Sequence, residues 1–113
     1  HNLKTARFSG NVRATYANLK ISCDELAVTY DDKGAILSLR ANGKVEVGRG
    51  DAVARADSAR LDARQGLLIL EGKPTIVQGP HRIEGARIAV DLESGRLEVM
   101  EAKGTFKIGK GGH

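Results

Sequence analysis

The sequence has little of what usually does chemistry or staples a small fold. It holds one cysteine, Cys23, so no internal disulfide can form and a thiolate metal cluster lacks its second ligand. Its aliphatic neighbours predict a small buried thiol rather than a reactive one. The three histidines are His1, His81 and His113. Two are terminal, and His81 follows Gly79-Pro80, where an exposed loop position is expected. None has a companion at zinc-ligand spacing, so neither a metal nor another cofactor is expected. No serine stands in a nucleophile elbow. The pair Asp31-Asp32 falls at a turn, where aspartate serves the backbone. The chain is therefore read as not an enzyme. Aromatics make up 4%, with no tryptophan, so the core must be Val, Ile, Leu and Ala. Phe8, Tyr16, Tyr30 and Phe106 all fit apolar positions of a strand pattern, which leaves no stacking platform for nucleic acid. No segment approaches the roughly 18 apolar residues of a membrane helix.

The 113 residues suffice for one domain, and 41% of them are hydrophobic, which suits a globular chain rather than a disordered one. The net charge of +4 permits an anionic partner. Bases alternate with acids along the chain, so a mixed solvated surface and a dedicated anion-binding patch both fit. The chain begins with His1 rather than Met, as a trimmed protein would after loss of a signal or anchor. The run Gly109-Lys110-Gly111-Gly112 is followed by no helix and reads as a loose tail, not a phosphate loop.

Self-comparison finds a period of about 30 residues. One block opens at Gly10, a second at Gly43, a third at Gly72, and a fourth begins at Gly104 and stops. An acid recurs at Asp24, Asp57 and Glu84, and a turn glycine at Gly34, Gly66 and Gly95. For the recurrent acids, calcium ligation would need dense Gly-Asp nonapeptides, which are missing. They are expected to accept backbone hydrogen bonds at strand bends.

Within each block the period is two, as in Val45-Glu46-Val47, Leu68-Ile69-Leu70 and Ile88-Ala89-Val90. Alternation places one set of side chains on a buried face. Turn signals separate the segments: Asp32-Lys33-Gly34, Arg49-Gly50-Asp51, Arg64-Gln65-Gly66, Gln78-Gly79-Pro80 and Glu93-Ser94-Gly95. Residues 52–64 carry enough Ala and Arg for a helix. Their counterparts in the other blocks, one of them holding Gly85 among β-branched residues, predict a strand instead. The expectation is an all-β protein, an antiparallel β-roll of about three repeats. A single domain over 8–108 is expected between flexible ends at 1–7 and 109–113. The inward aliphatics are Val28, Leu37, Leu39, Val45, Val47, Leu61 and Leu68, then Leu70, Ile76, Ile88, Val90, Leu97 and Val99. The end of such a roll exposes unpaired backbone and invites pairing with another β-protein.

The order of these elements is similar to that of a known family. Gly43-Lys44-Val45-Glu46-Val47 is followed by Ala56-Asp57-Ser58-Ala59-Arg60-Leu61-Asp62 and then Leu68-Ile69-Leu70-Glu71-Gly72-Lys73-Pro74. With Ile83 to Leu92 as the next strand pair, this resembles the LptA/OstA-like lipopolysaccharide-export proteins over about residues 8–108. The resemblance implies a twisted β-jellyroll open at both ends, with an apolar groove that accepts the acyl chains of lipopolysaccharide. It implies a periplasmic location and end-to-end joining, with copies of itself and with related domains of an inner-membrane anchor and an outer-membrane translocon. The inward aliphatics would then be lipid contacts, although they equally fit a core packed on itself. Family members commonly carry more repeats than this chain. Bridge protein, anchored partner and translocon domain therefore all remain open. A structural β-solenoid that polymerises without ligand is the alternative reading.

Overall fold

A computed structural model describes residues 3–101 and 103–105. The strands are β1 (Lys4–Tyr16), β2 (Leu19–Tyr30), β3 (Ile36–Arg49), β4 (Ala52–Asp62) and β5 (Leu67–Glu71). They continue as β6 (Thr75–Gln78), β7 (His81–Glu84), β8 (Arg87–Asp91), β9 (Leu97–Met100) and β10 (Lys103–Thr105). All pair antiparallel in one ten-stranded sheet, and no helix occurs among the described residues. The segment 52–64 is mostly β4: alternation of Ala54, Ala56, Ala59 and Leu61 toward the interior outweighs its helical composition. Residues 4–7, expected as a loose end, belong to β1, where Lys4 pairs with Tyr30. The tail 109–113 and Phe106 lie outside the described residues.

The sheet is creased along one line. Pairing between β1 and β2 breaks between Ser9 and Val12, between β2 and β3 from Ser22 to Glu25, and between β3 and β4 from Asn42 to Val45. The line continues where β4 divides its partners. Ser58–Asp62 pair with β5, and Ala52–Arg55 pair with β6. Farther along, β5 pairs with β8 and β6 with β7. Two leaves result. One carries β5, β8 and β9 with the outer halves of β1–β4; the other carries β6, β7 and β10 with their remaining halves.

The crease has a chemical cause. Gly43 and Lys44 both have positive φ, 84° and 48°, as do Gly72 and Lys73, 81° and 53°. Left-handed backbone of this kind turns a strand sharply. The glycines are also required by contact. A Cβ on Gly43 would lie 2.6 Å from Asp24 Oδ2, and one on Gly72 would lie 2.7 Å from Asp57 Oδ2. The recurrent Asp24 and Asp57 therefore pack over the crease glycines; among the described residues, no backbone hydrogen bond to either carboxylate occurs. Glu84, the third recurrent acid, accepts from Arg82 Nε at 2.7 Å. Backbone capping falls to other aspartates. Asp31 accepts from the amides of Lys33 and Ala35, Asp62 from Arg64 and Gln65, and Asp91 from Glu93 and Ser94. Each sits at the end of a strand where an Asx turn starts a reversal. Gly104, the fourth opening glycine, lies inside β10 opposite Ile83 rather than on the crease.

Strand lengths do not divide into three equal units: β1 to β4 run 11 to 14 residues, while β5 to β10 run 3 to 5. The molecule is elongated, 55 × 27 × 24 Å.

Candidate functional site: the cleft between the leaves

The inner face of the first leaf is built from two rows of residues in register. One runs Ala6, Val28, Leu39, Leu61, Leu68, Val90 and Leu97 from β1 to β9. The other runs Phe8, Leu26, Ala41, Ala59, Leu70, Ile88 and Val99. The second leaf answers with Ala14, Ile21, Val47, Ala54, Ile76 and Ile83. No charged or polar side chain is buried among the described residues. The interior is thus held by apolar burial, worth about 25 cal/mol per Å² removed from water.

Near the crease the leaves pack on each other. Val45, Leu70 and Ile88 are 1%, 0% and 0% exposed. Away from the crease they part. A cleft of about 450 Å³ opens between the turn after β3 and the turn after β8. Val47, Leu68, Ile76, Val90 and Leu97 line it, all of them expected inward residues. A neighbouring hollow of about 340 Å³ reaches Leu61 and shares Asn18, Leu19 and Leu92 with the first. Val28, Leu39, Val45, Leu70, Ile88 and Val99 belong to the packed interior or lie against it. Leu37 departs from this set. Pairing jumps from Thr29–Ser38 to Tyr30–Ile36, which leaves Leu37 without a partner on β2, though its carbonyl accepts from the Ala63 amide, and puts Ile36 against the core. A bulge reverses the alternation, and nothing in the local sequence announces it.

The lips of the cleft are polar. Arg49 follows Val45 and Val47 at the same alternation, so it occupies an inward position. Its Nη2 donates to the Leu92 carbonyl on the opposite leaf at 2.8 Å. Gln78 Nε2 donates to Asp51 Oδ1 at 2.9 Å beside it. Arg49 was not legible as a site residue because its charge interrupts the aliphatic pattern, and Leu92 because it takes part through its backbone carbonyl. His81 corrects a sequence expectation too: it opens β7 opposite Gln78 and is half-buried, since the hairpin turn ends at Pro80.

Cys23 lies in the second leaf, 5% exposed. Burial first, and the Asp24 charge second, push its thiol pKa up. Among the described residues no group of His, Cys, Asp or Glu could hold a metal ion, and no helix is long and apolar enough to cross a membrane.

Among the described residues, the edge strand β1 pairs only with β2, and β9 pairs only with β8, so both ends of the described sheet are open. Exposed large apolar side chains fall at these edges, with Phe8 52% and Met100 57% exposed. Phe8 points inward opposite Leu26, but among the described residues no strand lies beyond β1 to cover it.

A family model described as LptA/(LptD N-terminal domain) LPS transport protein matches residues 1–96. The chain belongs to this family. As an LptA/LptD-N-terminal-domain protein it has the creased, unclosed antiparallel sheet of an LptA-like fold. Among solved structures it is similar to LptH of Pseudomonas aeruginosa, described as the LptA homologous periplasmic component of the lipopolysaccharide transport device. The two share 13% identity over 92% of this chain and 85% of that chain, with a TM-score of 0.79. At that identity the likeness carries the fold. No curated protein matches the chain.

Proposed function

We propose that this protein acts in lipopolysaccharide transport, holding the acyl chains of lipid A in the cleft between its leaves. The observation that carries this reading is the open cleft of about 450 Å³ between two aliphatic leaves. Its volume falls within the roughly 300–1,000 Å³ of small-molecule sites. Each methylene buried there is worth about 0.8 kcal/mol, so acyl chains bind without specific polar contacts. The reading involves no catalytic step. Membership of a lipopolysaccharide-transport family supports it. The open cleft argues against the alternative of a filled, self-assembling β-solenoid.

In this reading the protein works in the periplasm as one segment of a bridge. Its unpaired edges at β1 and β9 add to strands of neighbouring β-jellyroll domains: further copies, the inner-membrane anchor or the outer-membrane translocon. The period of about 30 residues marks the unit by which such a roll grows.

Photo-crosslinkers at Val90 and Leu97, which line the cleft, are expected to capture lipid A. Crosslinkers at Arg60 and Glu98, at outward positions of the same leaf, are expected to capture none. Equal capture at both sets removes the cleft from the function.

A further inference from the structure

Arg49 is an unusual side chain for its position. It is half-buried at an inward alternation, on the lip of the cleft beside Asp51 and Gln78, with aliphatic side chains below. No carboxylate among the described residues forms an ion pair with it. Asp51, also on the lip, is engaged by Gln78. Among the described residues, the only hydrogen bond of the Arg49 side chain goes to the Leu92 carbonyl. A guanidinium offers five donors, so most of its capacity is unspent. A partly desolvated cation without a counter-ion costs stability unless something repays it. The arrangement suits an amphiphile whose apolar part enters the cleft and whose anionic group stops at the lip.

We propose that Arg49 binds the phosphate of an acylated, phosphorylated saccharide. This rests on the cleft being the lipid site. Phosphate accepts two parallel hydrogen bonds from a guanidinium and competes well against a single neutral carbonyl. The free donors take the phosphate first; where reaching it turns the guanidinium away from the opposite lip, the bond to Leu92 is exchanged for a bond to phosphate. The bond to Leu92 joins the end of β3 in one leaf to the turn after β8 in the other. Its loss frees the β8–β9 turn from the opposite lip, so the headgroup that arrives also unfastens the mouth.

The test measures binding of lipid A, enzymatically dephosphorylated lipid A and phosphatidylglycerol to wild type, R49Q and R49K. Thermal melts establish that each variant is folded. R49Q is expected to weaken phosphorylated lipid A about tenfold, the scale of one lost charged hydrogen bond, and to leave the dephosphorylated form unchanged. R49K keeps the charge but not the paired donors, and is expected to bind phosphorylated lipid A more weakly than wild type and more tightly than R49Q. Phosphatidylglycerol with the same Arg49 dependence assigns the residue to phosphate in general; no dependence assigns it to the saccharide phosphate. Amide exchange over residues 92–96 is expected to speed up in R49Q, and in wild type on adding phosphorylated lipid A. If both forms of lipid A bind R49Q as they bind wild type, the inference falls and the cleft reading stands. If neither form binds wild type, both fall.

Discussion

Asp57 lies over Gly72 so closely that no side chain fits between them, and the Asp57 amide donates to the Gly72 carbonyl at 3.0 Å. The recurring acid and the recurring glycine are therefore two halves of one contact. Gly72→Ala is expected to cost more than Gly66→Ala, because Gly66 has positive φ but open space around it. The strain alone costs about 1 kcal/mol, and the clash adds roughly 1–3 kcal/mol. Denaturant unfolding checks this. Adding Asp57→Gly is expected to recover the clash portion only.

Leu70 and Ile88 face each other as a cross-strand pair, both 0% exposed. Leu70→Ala should lower stability by about 2–5 kcal/mol. Leu97→Ala, at the half-buried rim of the cleft, should lower it by about 1 kcal/mol while weakening acyl-chain binding. Urea midpoints read against lipid A affinity separate packing residues from contact residues.

The Asp91 carboxylate accepts from the Ser94 and Glu93 amides, which hold its pKa below the ordinary 3.8. A carboxylate depressed in the folded state contributes stability above its unfolded pKa and loses it as pH falls through the folded pKa. Wild type should thus melt above D91N at neutral pH, and the two should converge below pH 3.8. Melting curves across that window, with NMR titration of the Asp91 carboxyl, check the direction.

Much of this was legible in the sequence, and the failures have physical reasons. Alternation exposed the rows through Leu68, Leu70, Ile88 and Val90, because a strand buried on one face writes its period into the chain. Burial follows neighbours as well as period, so inward Phe8 on the edge strand stays exposed. At Leu37 a bulge shifts the period by one, which the sequence does not announce. The bond between Arg49 and Leu92 spans 43 residues of sequence and uses a backbone carbonyl, which no residue pattern can encode.

The exposed edges carry their own prediction. Phe8→Lys and Met100→Lys are expected to leave monomer stability within about 0.5 kcal/mol, since both side chains lie largely in water. They are expected to reduce self-association, which sedimentation measures across a concentration series. Association unchanged in the double variant would remove these edges from the assembly surface.

The Cys23 thiol, buried and with its pKa raised, should resist maleimide in the native protein and react on unfolding. Labelling rates in rising urea then report global opening, because the thiol lies inside the second leaf.

The crease also has a mechanical meaning. In β1, β2 and β3 the bulges sit on the same line, so the leaves are joined there by continuous chain. The hairpin ends opposite that spine are covalently independent between leaves. Spreading them flexes the backbone at the bulges and breaks no ladder pairing within either leaf. Bending is therefore expected to be easier across the mouth than within either plate. If the cleft holds lipid as proposed, this hinge lets the mouth widen without unpairing either leaf.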